Sequence, residues 1–357
     1  MQIFKWIKPL SFLFAIIIVN SLLTFLIVPV RGASGTMWEE YYQEDDLDTI
    51  FIGASFCAAT FEPYIFNEQL GVKSFNLGTP LQAIGQTMSA VETVTKDFEI
   101  NTIIIGMGFF SLQQGSYDKA ELTFERAKAE KKGGIEGILE GFNYVFSEEV
   151  RGTEKSIQYF LPWLYNQEEV SLSFISKNVA AKMEEVKRKE GNMVSRKGYR
   201  YYDDIVDYKT KWERNSYEYY SQKLDAELMR QFAELLVICK KNAKNVIVVN
   251  TPHPTYDVVS CYETYAANEK QVNTLCESYG VAYYNFSLVK PEFFELKDEY
   301  FYDFEHLNKD GSEAFCKALC EFLERKKSGE EMESYFYTVE EYLDIHGELL
   351  EDFKASH

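Results

Sequence analysis

The run Thr49-Ile50-Phe51-Ile52, closed by Gly53-Ala54-Ser55, decides the fold. It is continuously apolar, with no polar residue facing out at every second position. Such a run reads as a strand covered on both faces, the signature of a parallel sheet between helices. Four further segments read as strands: a short one over residues 72–75, ending at Asn76-Leu77-Gly78; a buried one over residues 102–105, ending at Gly106-Met107-Gly108; one over residues 245–250, closed by Thr251-Pro252-His253-Pro254; and one over residues 281–286. Helical patterns separate them. A short helix starts near Pro63, which suits a first helical turn. Residues 81–98 place Ile84, Met88, Val91 and Val94 on one face, and residues 221–241 carry the stripe Leu224, Leu228, Phe232, Leu235, Leu236, Cys239. Helices also fit residues 262–279 and 311–325. The expected fold is α/β, a three-layer α/β/α sandwich with about five parallel strands.

Working outward, the alternation stops after the third strand. Residues 109–220 are rich in Tyr, Lys and Glu and read as a large, mostly helical insertion. Residues 328–357 read as an acidic helical tail. At the other end, Lys5 and Lys8 precede residues 9–30, which contain no charge and only Ser11, Asn20, Ser21 and Thr24 as polar side chains. About 20 apolar residues cross a bilayer as a helix. Acidic residues (Glu39, Glu40, Glu44, Asp45, Asp46) follow the run, with Arg31 the one exception. The positive-inside rule then places the N-terminus in the cytoplasm and the rest outside. A cleaved signal peptide is the rival reading. No A-x-A site follows and the run is long for a signal, so a retained anchor over 1–31 is favoured. A linker or first helix follows over 32–47, then an α/β domain over 48–327.

The chain has 357 residues, 46% of them hydrophobic, enough for a full core. Its net charge of -19 argues against nucleic acid as a partner, because phosphate binding needs a basic face. The six cysteines show no metal spacing such as CxxC, so no metal is expected, and no cofactor is expected either. A Cys261–Cys276 disulfide remains open, and Cys316 and Cys320, one turn apart on an apolar face, read as core.

In an open parallel sheet, ligands bind beyond the carboxyl ends of the strands. Ser55, Gly78, Gly106 and His253 all follow predicted strands, which gathers them in one cleft. Ser55, on a tight turn, is a candidate nucleophile, and its first-turn amide a candidate oxyanion donor; as a plain alternative, serine is a favoured helix N-cap. A serine needs a base, and the chain has four histidines: His253, His306, His346 and His357. Asp303 precedes His306 by three, a spacing that lets a carboxylate meet Nδ1 while Nε2 faces the serine. Leu307, Asn308 and Gly311 then lead into the last helix of the domain. Gly106, Gly108, Gln82 and His253 are candidate substrate-binding or cleft-lining residues, and the backbone amides at Gly106 to Gly108 and the side chains of Gln82 or Gln86 are candidates for a further oxyanion donor. Tyr199, Tyr201, Tyr202, Tyr219 and Tyr220 are candidates for stacking on sugar rings, against the ordinary reading of aromatics as core.

The set Gly53-Ala54-Ser55, Gly78 and Asp303-x-x-His306 resembles the SGNH/GDSL superfamily of serine esterases and acyltransferases, over residues 48–325. The resemblance implies a flavodoxin-like sheet, a Ser55–His306–Asp303 triad, and an oxyanion hole from the amides of Ser55 and Gly78. Two positions depart from it: Ala54 replaces the usual Asp, and Gly106-Met107-Gly108-Phe109 replaces Gly-x-Asn-Asp, removing an oxyanion donor. With the anchor, the set is similar to membrane-anchored extracytoplasmic members (DltD-like proteins of teichoic-acid D-alanylation, and relatives that O-acetylate exported polysaccharides). That implies transfer of an acetyl or D-alanyl group to a cell-envelope polysaccharide through an acyl-serine, beside a membrane-bound O-acyltransferase partner. A carbohydrate esterase with the same triad, or a non-catalytic glycan-binding scaffold, are the alternatives.

Overall fold

A computed structural model describes residues 3–29, 32–113, 115, 117–167, 170–189, 196–200, 221–303 and 305–356. In chain order its elements begin with α1 (Ile3–Ile27), α2 (Ala33–Tyr41), β1 (Thr49–Gly53), α3 (Ser55–Thr60), α4 (Pro63–Leu70), β2 (Ser74–Asn76), α5 (Ile84–Asp97) and β3 (Thr102–Met107). Four helices follow: α6 (Asp118–Lys132), α7 (Gly134–Val145), α8 (Glu154–Phe160) and α9 (Leu172–Lys189). The chain then continues through α10 (Ala226–Asn242), β4 (Asn245–Asn250), α11 (Thr255–Ser260), α12 (Tyr262–Ser278), β5 (Ala282–Asn285), α13 (Lys309–Lys327), α14 (Val339–Ile345) and α15 (Gly347–Ser356). Two compact units emerge: Met1–Trp38 with Asp118–Ser195, and Glu39–Tyr117 with Arg196–His357.

The second unit holds a five-stranded sheet, all parallel, in the order β2-β1-β3-β4-β5. Successive strand residues point to opposite faces. One set (Phe51, Ile104, Ile247, Val249, Tyr284) joins Phe61 and Phe66 from the α3–α4 region and Phe315, Leu319 and Phe322 of α13 in a single buried cluster. The alternate set (Ile50, Ile52, Ile103, Ile105, Val248) is equally buried, and α5 and α10 pack together and against β1 and β4. The observed architecture is therefore α/β with the expected number of parallel strands. Boundaries shift slightly: the second strand lies at Ser74–Asn76, starting two residues later than expected, because it pairs only with Thr49–Phe51 of β1.

The stretch read as a linker or first helix carries α2, with Trp38 and Tyr41 buried. The tail is helical and bonded to its own unit: Tyr337 N–H donates to Leu288 O at 2.9 Å, and Val289 and Phe336 form an antiparallel bridge. Residues 109–117, expected to open the insertion, stay with the sheet unit. All six cysteines are buried and free of disulfides.

In the first unit, residues Lys8–Ile27 of α1 form one helix long and apolar enough to cross a membrane, with none of it buried. Its last carbonyls would be orphans in an apolar setting. Asn178 and Lys182 of α9 satisfy them: Asn178 Nδ2 donates to Leu26 O (2.9 Å) and Val28 O (3.0 Å), and Lys182 Nζ to Val28 O (2.6 Å). A cation is also favoured at a helix C-terminus.

Candidate active site

β1 and β3 run side by side, with Gly53 opposite Gly106. Between these two strands the order of connection reverses, the place where open α/β sheets bind ligands. Both glycines are required. Gly53 has φ +146°, and a Cβ there would lie 2.1 Å from Gly106 O; a Cβ on Gly106 would lie 2.4 Å from the Phe61 ring. The chain thus turns tightly off β1 into α3. The N-cap position falls on Ala54, and Ser55 is the first helical residue. Ser55 is therefore not the cap, and its amide is one of the first-turn donors without an intrahelical acceptor.

α3 is held from two sides. Asn76, fully buried at the end of β2, donates through Nδ2 to Cys57 O (2.9 Å) and Phe61 O (2.8 Å) and accepts from Gly78 N–H at 2.9 Å and Cys57 Sγ at 3.3 Å. From α13, Ser312 Oγ and Cys316 Sγ both donate to Thr60 O, at 2.8 and 3.0 Å. This corrects the expectation for Gly78. Its N–H is committed to the Asn76 side chain, and its lack of a Cβ serves a close approach, 2.7 Å from Ala58 N.

The Asp303–His306 pair forms. Nδ1 of His306 lies 2.9 Å from Asp303 Oδ2 and 3.0 Å from Oδ1, and Oδ1 also accepts the amides of Glu305 and His306. Phe304, inside this motif, lies outside the described residues. Burial disfavours the imidazolium, yet the hydrogen bond and charge of Asp303 outweigh it and raise the His306 pKa above its ordinary value. For Asp303, burial pushes up but His306 and the two amides hold the carboxyl below its usual range. The turn is locked by the residues after it. Asn308 caps α13, accepting from Gly311 N–H at 2.9 Å and donating to Glu299 O at 2.7 Å, while a Cβ on Gly311 would lie 2.3 Å from Tyr300 O.

The ring of Phe56, the residue after Ser55, stacks on His306 (centroids 5.3 Å, 19°) and leans on His253 (5.2 Å, 43°). Phe56 thus joins the two histidines, a role the sequence reading missed because a Phe in a first helical turn looks like core. Among the described residues Ser55 Oγ makes no hydrogen bond to His306. His253 is 2% exposed, and Nδ1 meets Thr251 O at 2.7 Å. A carbonyl only accepts, so Nδ1 carries the proton and Nε2 is an acceptor. Burial pushes its pKa down to about 4, so it is neutral at pH 7. A Cβ on Gly108 would lie 3.0 Å from His253 Nε2 and from the Phe56 ring. The space beside residue 108 is thus filled by His253 and Phe56. Behind His253 runs a buried polar chain: Ser287 Oγ accepts the His253 amide, Asn285 Oδ1 accepts the Ser287 amide and Tyr265 Oη, and Asn285 Nδ2 donates to Glu269.

Ser55, Phe56, Leu81, Gln82, Ser111 and Tyr117 line a narrow space of ≈ 40 Å³ beside α3. Leu81 stands there 47% exposed with φ +58°, a conformation rare for a side chain of its kind and concentrated at functional sites. Gln82 holds Thr79 and Thr87 through its side chain (2.8 and 3.2 Å), and Gly106 lines an adjoining space with it; Gln86 is buried and lines neither. Tyr199, a candidate for sugar stacking, is 6% exposed and therefore core, a correction; Tyr201, Tyr202, Tyr219 and Tyr220 lie outside the described residues. Among the described residues no group of three or more His, Cys, Asp or Glu side chains is placed to hold a metal ion. No known family model matches the chain, and no curated protein matches its sequence.

Proposed function

We propose that this chain is a membrane-anchored serine O-acyltransferase of the SGNH type, with Ser55 as nucleophile, His306 as general base and acid, and Asp303 as its orienter. The observation that carries the reading is the Asp303–His306 pair seated on the first turn of the helix that Ser55 begins. The strand order 2-1-3-4-5, with helices packed on both sides, supports a flavodoxin-like sandwich. In the first step Ser55 Oγ attacks the acyl carbonyl while Nε2 takes its proton, and the proton then leaves with the departing group. In the second step a glycan hydroxyl attacks the acyl-serine, gives its proton to Nε2, and Ser55 is restored. The small space beside Ser55 suits a short acyl group, acetyl or D-alanyl. Lys5 and Lys8, ahead of the charge-free stretch of α1, support a cytoplasmic N-terminus and an extracytoplasmic site, where a membrane-bound O-acyltransferase is the proposed donor partner and an envelope polysaccharide the acceptor.

The oxyanion hole is thin. Gly108 offers no side-chain donor, neutral His253 presents an acceptor, and the Gly78 amide is engaged. The Ser55 amide, in the first turn of α3, is the donor assigned to it, and losing one donor costs about 3 kcal/mol in well-studied sites. This favours a slow site dependent on a bound acceptor over a free-standing esterase. It also favours, as a second reading, a non-catalytic scaffold that binds glycans. A fluorophosphonate probe separates these. The catalytic reading expects covalent labelling that maps to Ser55 and disappears in both Ser55→Ala and His306→Ala; no labelling of the folded wild-type chain assigns it to the scaffold.

A further inference from the structure

Helix α7 is packed inside out. Its inward side is glycine: a Cβ on Gly137 would lie 2.2 Å from Ala129 O of α6, and one on Gly141 2.5 Å from Tyr159 Oη of α8. Its bulky residues face away. Ile135 is 77% exposed, Ile138 60%, Leu139 55% and Phe142 44%, with Phe146 just beyond at 62%. They recur at helical spacing and form one stripe. α8 extends it, because Phe160, 47% exposed, packs on Phe142 with ring centroids 6.0 Å apart. An apolar surface this continuous marks an interaction site.

The neighbouring helix indicates what covers it. The end of α8 is tied to α1 at Asn20, whose Nδ2 donates to Phe160 O at 3.1 Å and whose Oδ1 accepts from Trp163 Nε1 at 2.9 Å. Asn20 lies seven residues before Ile27, the end of the apolar span. At 1.5 Å rise per residue that is about 10 Å inside the span. Interfacial helices bury their apolar faces by about 5–10 Å, and Trp concentrates at that level. From Leu10 to Val19, α1 is bare of protein cover.

We propose that acyl chains of the leaflet at the C-terminal end of α1 cover the α7–α8 face, so that the first unit is embedded in the membrane as well as crossing it. The proposal rests on α1 as a membrane span and is independent of the chemistry at Ser55. Full-length protein carrying one environment-sensitive fluorophore at Ile138→Cys, Phe12→Cys or Glu277→Cys is reconstituted into phosphatidylcholine vesicles. Exposed positions tolerate a label, and the native cysteines are buried. Nitroxide on the acyl chains is expected to quench the 138 and 12 labels, and aqueous iodide to quench them severalfold less than the 277 label. A 138 label open to iodide while the 12 label meets lipid overturns the proposal and leaves the span intact. A 12 label open to iodide overturns both. A 138 label shielded from iodide and lipid alike overturns it in favour of a second copy of the chain.

Discussion

Asp303 serves His306 in two ways, as acceptor for the imidazole Nδ1 and as acceptor for the two amides that shape the turn. Because it raises the His306 pKa above its ordinary value, the base form of His306 predominates only at a pH higher than that of an ordinary imidazole. Labelling of Ser55 is expected to rise with pH through a midpoint above 6.5, and Asp303→Asn to lower that midpoint and slow labelling by about 10²–10⁴-fold. Rates of probe incorporation across neutral pH measure both. The pair also stabilises the fold between the depressed pKa of Asp303 and the raised pKa of His306, and that contribution fades on either side. At residue 108 a different test applies. An asparagine there meets His253 and Phe56, so Gly108→Asn is expected to cost about 1–3 kcal/mol of stability rather than rebuild an oxyanion donor. In a His253→Ala background that cost shrinks, and thermal melts of the single and double variants show the coupling.

Among the elements, α3 depends most on residues far from it in sequence. Asn76 satisfies the carbonyls of Cys57 within it and of Phe61 just after it while occupying the Gly78 amide. Asn76→Ala removes the side-chain partner of Phe61 O and of the buried Gly78 amide, and a loss of about 2–4 kcal/mol is expected in chemical denaturation of the detergent-solubilised chain. The central strands β1, β3 and β4 were legible because burial on both faces writes itself as apolar runs. The α13 start was legible because Asn308 and Gly311 act locally, one as cap and one at a close approach. Asp303 and His306 were legible for the same reason, being three residues apart. Asn76 was not, since its partners lie 15 and 19 residues upstream. Nor was the placement of Phe56 against two histidines from distant loops. The packing of α7 escaped too: its apolar stripe reads as a core face, and only the structure shows the glycines turned inward.

For the molecule as a whole, Glu269 sets a pH dependence separate from the site. Burial raises its pKa to about 7, against the opposing hydrogen bonds of Tyr283 and Asn285. Stability is therefore full below the ordinary carboxyl range and falls as the pH rises toward 7, by an amount on the order of 3 kcal/mol. Glu269→Gln is expected to flatten that slope in denaturation midpoints taken at mildly acidic and mildly alkaline pH. The first unit raises a question of timing. It is assembled from two chain segments, and Lys182 follows Val28, whose carbonyl it satisfies, by 154 residues. At 5–20 residues per second, synthesis delivers that lysine about 8–30 s after the helix end it completes. During that interval the nascent chain holds an uncapped helix end, and the sheet strands β1 to β3 are made before it is closed.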